Sequence, residues 1–225
     1  MGPFTPTQHP AKPPRYAAGM LLALSAVSLF LTTLVNGAAA RMLEILHPGC
    51  SCYARACIPS ALVAMASYLM IRPSRPFALP DPNTPWVRVL RLSTLWQATW
   101  LLASVAYALF RGGWTAYATG PALLIAFLLL GPLWEELLFR GAIFELAERA
   151  VPASSLAPIL LSSLLFSVHH MELHGFALTS AARLQVAFTF PMGLVFGKVR
   201  ALSNSVWPGF LLHVLTNLPH AFGSH

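Results

Sequence analysis

The sequence has few charged residues and few cysteines. Of its 225 residues, 9% are Asp, Glu, Lys or Arg, whereas a soluble domain carries about 25%. A soluble protein of this length could not cover its surface with so few charges. The three cysteines, Cys50, Cys52 and Cys57, share one predicted loop and are too few for a four-ligand zinc site. We expect free thiols there, with a disulfide as the alternative if the loop faces an oxidising compartment.

The chain is instead rich in long apolar runs. Asp, Glu, Lys and Arg are absent from residues 17–40, 92–110, 112–134 and 150–168. A helix needs about 20 such residues to cross a hydrocarbon core about 30 Å thick. The sequence therefore predicts an all-α fold, a polytopic transmembrane helical bundle in the cell (inner) membrane.

The apolar runs predict about seven spans. They lie at approximately 17–39, 56–71, 92–110, 116–147, 154–173, 180–198 and 204–222. Three regions follow from this division: a disordered, proline-rich cytoplasmic tail at 1–16, N-terminal transmembrane helices at 17–110, and a second group of transmembrane helices at 111–225. The first span exceeds a signal-peptide core of about 7–15 residues, so we expect it to be retained. Cleavage after the small residues 38–40 is the alternative.

The basic residues indicate how the chain lies in the membrane. The loop at residues 72–91 contains five prolines, which predict irregular structure, and four arginines against one aspartate. Because basic loops stay in the cytoplasm, this loop and the N-terminus are predicted inside and the C-terminus outside. The net charge of +7 is spread over the loops and forms no basic helix. This distribution favours the lipid bilayer, and not nucleic acid, as a partner.

Charged residues occur in the interior of the predicted span at 116–147. An ionisable side chain there costs about 2.5–3.5 kcal/mol, so it needs a reason to be present. Glu136 and Arg140 are four residues apart and can form an ion pair on one helix face. Glu135 lies about 100° around an α-helix and has no such partner. The alternative interpretation is a helix-stabilising pair with a spare glutamate.

Two further polar patterns lie on later apolar runs. Phe166 precedes His170 by four residues, and His213 precedes Asn217 by four. Taken alone, the first pattern is typical of an interfacial histidine and the second of interhelical packing. Together with Glu135, they could form a hydrolytic site in which the glutamate and His170 activate water. His213 and Asn217 could then donate hydrogen bonds to the oxyanion of a peptide carbonyl.

In order and spacing, these three patterns resemble the CAAX protease and bacteriocin-processing (CPBP) family, which includes the type II CAAX prenyl endopeptidases. That family is marked by EExxxR, FxxxH and HxxxN/B motifs on successive membrane helices, and the resemblance covers about residues 115–220. It implies an endopeptidase cutting inside or beside the membrane, with residues 111–225 as its catalytic core. It also implies Glu135 as the catalytic glutamate, His170 as its partner, and His213 and Asn217 as oxyanion stabilisers.

The cofactor and substrate follow less directly from the motifs. Members of the family have been described both as metalloproteases and as metal-free glutamate proteases, and this chain has no HExxH helix. We expect no metal, with a divalent ion such as zinc as the alternative. The expected substrate is a peptide or protein tail, including a membrane-anchored one. A non-catalytic scaffold or bacteriocin self-immunity protein is the main alternative, and a transporter is disfavoured because no inverted repeat is present.

Overall fold

The computed structural model describes residues 79–111, 124–151, 156–171 and 177–221. Their regular structure is helical throughout. In chain order it comprises α1 (Trp86–Arg111), π1 (Ala126–Leu130), α2 (Gly131–Glu135), π2 (Glu136–Ile143), α3 (Phe144–Ala150), α4 (Ala157–His169), α5 (Ser180–Ser203) and α6 (Trp207–Ala221). The predicted helical fold is confirmed for these residues. The predicted tail, the first two spans and the three cysteines lie outside them.

The boundary of α1 differs from the sequence prediction. The proline-rich loop was expected to extend to residue 91, but the helix begins at Trp86. Pro85 lies directly before this first turn, and its carbonyl accepts hydrogen bonds from the N–H groups of Arg88 and Val89. A proline at this position lacks only an N–H that the first turn would leave unpaired anyway. The expectation was therefore wrong for residues 86–91.

The helix over residues 126–150 is not the uniform α-helix that the sequence suggested. The segments from π1 to α3 follow one another without a break, and two of the four are π-helical. Pro132 explains the first of them, since it cannot donate to the carbonyl four residues earlier and its ring crowds that carbonyl. A wider π turn before the proline relieves this conflict. The second π segment begins at Glu136, inside the charged motif.

Small residues bring α4 and α5 together. A Cβ at Gly193 would lie 2.9 Å from Ser163 Cα, and one at Gly197 would lie 3.1 Å from Ile159 Cγ2. Because both positions are glycine, the two backbones approach closely, as in the GxxxG contacts of membrane helices. This contact holds α4, which carries Phe166 and is followed directly by His170, against α5.

The distribution of side chains is that of a membrane protein. Fully buried residues include Glu136 and Arg140, while large apolar side chains such as Leu102, Leu109 and Phe110 are exposed. A soluble protein rarely exposes so much apolar surface while burying charges. Within the described ranges, the 24-residue α5 is the one helix long and apolar enough to cross a membrane on its own, and α4 is a shorter apolar helix.

Candidate active site

The two adjacent glutamates lie where α2 passes into π2. Glu135 is the last residue of the α-helical segment, and Glu136 is the first of the π-helical segment. A π-helix has about one more residue per turn than an α-helix, and such segments are frequent at functional sites. Because of the wider turn, the angles between these side chains around the helix axis differ from those assumed for an α-helix. The two carboxylates still have different partners.

Glu136 is paired with Arg140 in the protein interior. Arg140 Nη1 lies 2.9 Å from Glu136 Oε1, and neither side chain is exposed to any extent. The guanidinium carbon lies 4.2 Å from the centroid of the Phe166 ring and 5.3 Å from that of Phe196. Two aromatic faces and an anion therefore surround the cation, which offsets part of the cost of burying it.

His213 lies between the two glutamates. Its Nε2 is 3.5 Å from Glu135 Oε2, and its Nδ1 is 3.4 Å from Glu136 Oε1. Both distances exceed the usual hydrogen-bond range of about 2.7–3.2 Å, so the contacts are mainly electrostatic. The sequence predicted that His213 would be near Glu135, but not that it would contact both carboxylates. Its ring links the free and the paired glutamate.

The close approach of α6 to Glu136 depends on a glycine. A Cβ at Gly209, in the first turn of α6, would lie 2.7 Å from Glu136 Oε2. Any larger residue would therefore displace the carboxylate or the helix. The positive end of a helix dipole also favours a carboxylate at this position. Sequence analysis missed Gly209, because nothing in the order of motifs relates it to Glu136.

The orientation of His170 explains the spacing of the FxxxH motif. Its Nδ1 donates a hydrogen bond of 2.8 Å to the Phe166 carbonyl, which is four residues earlier on α4. A carbonyl can only accept, so this bond assigns the proton to Nδ1 and leaves the lone pair of the neutral ring on Nε2. The Phe166 ring lies 4.6 Å from the His170 ring and 6.0 Å from the His213 ring, centroid to centroid. The Phe166 ring therefore packs against both imidazoles.

Asn217 lies one turn beyond His213 on α6. Its Nδ2 donates a hydrogen bond of 3.2 Å to the carbonyl of Phe127, in π1. This bond uses one of the two amide hydrogens and ties α6 to the first π segment. The second amide hydrogen is the one that could serve a substrate. The structure thus gives Asn217 a packing contact in addition to the oxyanion role predicted for it.

His169, which precedes His170 and to which the motifs assign no role, packs against the rings of Trp134 and Phe139. The Trp134 ring lies 5.1 Å from the His169 ring in an edge-to-face arrangement, and the Phe139 ring lies 5.7 Å away. His169 is 9% exposed. His169 therefore belongs to the packing of the end of α4 against α2 and π2, the two segments that carry the charged motif.

The residues around the glutamates do not fit a metal site as they are arranged. His213 Nε2 and Glu135 Oε2 lie 3.5 Å apart, a separation that two ligands of one ion can have, but the neighbouring Glu136 is bound to Arg140. In the part of the chain that the structure describes, no group of three or more His, Cys, Asp or Glu side chains could hold an ion. Zinc needs three or four such ligands at about 2.0–2.3 Å.

A match to a known family covers all three motifs. Residues 117–219 match the family described as type II CAAX prenyl endopeptidase Rce1-like. The resemblance predicted from the motifs is thereby confirmed. No curated protein matches the chain, and no solved structure does.

Proposed function

We propose that the protein is an intramembrane endopeptidase of the glutamate type, because residues 117–219 match the family described as type II CAAX prenyl endopeptidase Rce1-like. It hydrolyses a peptide bond in or beside the membrane. The observation that supports this most is the position of Glu135, a carboxylate that contacts His213 while the neighbouring glutamate neutralises Arg140. A helix-stabilising pair alone would not need this second carboxylate.

Water activation is the role we assign to Glu135. Its carboxylate takes one proton from a water molecule, whose oxygen bonds to the carbon of the scissile carbonyl. The proton then passes to the leaving nitrogen as the carbon–nitrogen bond breaks, which returns Glu135 to its starting state. His170 assists through Nε2, because its Nδ1 is held by the Phe166 carbonyl. The bond to that carbonyl also fixes the orientation of the ring.

Oxyanion stabilisation is the role we assign to His213 and Asn217. The carbonyl oxygen becomes negative when water attacks, and N–H donors in a water-poor site stabilise that charge strongly. Asn217 has one amide hydrogen beyond the one donated to Phe127. His213 would turn one N–H from a carboxylate to the oxyanion. Its present contacts of 3.4 and 3.5 Å are long, so this exchange costs little.

The proposed substrate is a peptide or protein tail that reaches the bilayer, including a membrane-anchored one. The exposed apolar side chains of α1 and α4 support a site within a protein surrounded by lipid. A substrate must therefore present its scissile bond at membrane depth. A scaffold or self-immunity protein on the same bundle would cleave nothing.

We expect cleavage to be independent of a divalent metal. Glu135, His170 and the two donors on α6 supply a base and an oxyanion site without one. The test incubates the purified protein in detergent with a mixture of internally quenched short peptides, before and after dialysis against a chelator. Product formation should be unchanged by dialysis. Loss of activity with chelator and its return with zinc would contradict the metal-free mechanism, and a wild-type protein that cleaves no peptide would contradict the protease assignment.

We expect the N-terminus and residues 72–91, the last six of which begin α1, to be cytoplasmic and the C-terminus to be outside. The reason is that residues 72–91 contain more arginine than the loops predicted on the opposite side of the membrane. Reporter fusions placed after Arg91 and after His225 should report opposite compartments. Finding both in the same compartment would rule out an odd number of spans between them.

A further inference from the structure

One buried threonine on α6 connects the site helix to α1. Thr216 lies between His213 and Asn217 in sequence and has no exposed surface. Its Oγ1 accepts hydrogen bonds from Trp96 Nε1 at 3.1 Å and from Gln97 Nε2 at 3.0 Å. It donates one of 2.8 Å to the Leu212 carbonyl. A hydroxyl has one donor and two acceptor sites, so all three are used.

The contact between α1 and α6 extends over one turn of each helix. Gln97 Nε2 also donates to the Leu212 carbonyl at 3.0 Å, and Trp100 Nε1 donates to the Thr216 carbonyl at 2.7 Å. The two tryptophan rings stack with centroids 5.9 Å apart. Three donors from α1 thus converge on one residue of α6. We refer to Trp96, Gln97, Trp100 and Thr216 as the α1 clamp.

This stretch of α6 needs support from outside its own backbone. Pro219 lies within the helix and has no N–H to donate to the carbonyl four residues earlier. The hydrogen bonds of the last turns are therefore weakened just beyond the site residues. The α1 clamp holds Thr216 from one neighbouring helix, and the Asn217 bond to Phe127 holds the next residue from another.

We propose that the α1 clamp is a positioning device for catalysis, which sets the rotation of α6 so that His213 stays between Glu135 and Glu136. This inference rests on the proposed function. Thr216 follows His213 by three residues, so the two lie close together along α6 and any rotation moves both. A displacement of about 1 Å at reacting groups can cost on the order of 10²-fold in rate. Trp96, Gln97, Trp100 and Thr216 are positioning residues because they touch no reacting atom.

A pair of substitutions at Thr216 tests the clamp. Thr216→Val keeps the shape of the side chain and removes the hydroxyl, whereas Thr216→Ser keeps the hydroxyl. We expect Thr216→Val to lower kcat on the best-cleaved peptide of the quenched mixture by about 10- to 100-fold with little change in KM. Thr216→Ser should restore kcat to within a few-fold of the wild-type value.

The matched control is Thr189→Val on α5. Thr189 is also buried and hydrogen-bonds across helices, through Ser167 on α4, but it makes no hydrogen bond to α6. Its loss of a hydroxyl should cost stability without a specific loss of kcat. Equal kcat losses in Thr216→Val and Thr189→Val would show a general packing effect and overturn the proposal. Wild-type kcat in Thr216→Val would overturn it as well.

A second measurement is independent of cleavage. The ¹⁵N resonances of the His213 ring, in the detergent-solubilised full chain, report the hydrogen bonding of both nitrogens. They can be assigned by their absence in His213→Gln. We expect them to shift in Thr216→Val and to keep their positions in Thr216→Ser and Thr189→Val. Unchanged resonances in Thr216→Val would overturn the clamp even in a protein that cleaves peptides, whereas the expected shifts in a protein without cleavage would refute the protease assignment alone.

Discussion

Cleavage should fall by on the order of 10²–10⁴-fold in Glu135→Gln, because the substitution removes the proton acceptor and keeps the shape of the side chain. Glu135 has no ion pair with Arg140, which is bound to Glu136. The fold therefore keeps its buried Glu136–Arg140 pair when Glu135 is neutralised, and the charge lost is that of the 3.5 Å contact with His213. We expect the variant to accumulate in the membrane like the wild-type protein.

The measurement compares the protein termini that cleavage creates in the membranes of cells producing the wild-type protein with those in cells producing Glu135→Gln. Because every new terminus in the membrane is detected, the substrate can be any protein of the cell. Glu145→Gln is the matched control, since Glu145 lies on the same continuous helix, in α3, and pairs with the partly exposed Arg149. Termini that appear in cells producing the wild-type protein or Glu145→Gln should be absent from cells producing Glu135→Gln.

Two further variants separate the assigned roles. His170→Ala should resemble Glu135→Gln, because both remove a group that activates water. Asn217→Ala should retain weak activity, since loss of one oxyanion donor costs about 10²–10³-fold. A fully active Glu135→Gln protein would refute this assignment. The bundle would then be a scaffold, or Glu136 would be the catalytic carboxylate.

Much of this arrangement could be predicted from the sequence. Apolar runs predicted the helices, because a long run without charges has few other stable forms in a membrane. The spacing of Glu136 and Arg140 predicted their contact, which depends only on the local helix. Interactions within one helix are local, so sequence spacing specifies them.

Contacts between helices were less accessible to sequence reasoning. The sequence indicated that Glu135 and His213 could meet, but not that His213 would face Glu136 as well. The latter depends on the absence of a side chain at Gly209, which lies far from Glu136 in the chain. The π segments were also missed, since π-helices have no strong sequence signal apart from a nearby proline.

The apolar runs of the region 17–110 predicted transmembrane helices but no contact with the later motifs, and α1 makes such a contact through Trp96, Gln97 and Trp100. Trp96, Trp100 and Ser104 recur at every fourth position of α1, next to Gln97, in a run without charged residues. Such a polar stripe indicates a face directed at other helices. These polar residues therefore indicated in the sequence that α1 contacts other helices. They were missed because they are uncharged, whereas the motifs were identified from ionisable side chains.

The second large effect concerns the buried pair of Glu136 and Arg140. Removing one partner leaves an uncompensated charge in the protein interior, which costs about 3–5 kcal/mol in comparable buried pairs. We therefore expect Arg140→Met and Glu136→Gln each to lower the free energy of unfolding by about this amount. Methionine retains the apolar contact of Arg140 with the ring of Phe166. The loss thus reflects the charge more than the packing.

The double variant Glu136→Gln/Arg140→Met should be less destabilised than the sum of the two single variants, because no charge is left unpaired. Unfolding in mixed detergent micelles supplies the four free energies of this cycle. Glu145 and Arg149 provide the internal comparison, with the same spacing on the same continuous helix but with the arginine 46% exposed. Their coupling should be about 0.3–0.5 kcal/mol, as for surface pairs. Equal coupling energies for the two pairs would show that Glu136 and Arg140 are not a pair shielded from solvent. The pairing with Arg140 would then no longer distinguish the role of Glu136 from that of Glu135.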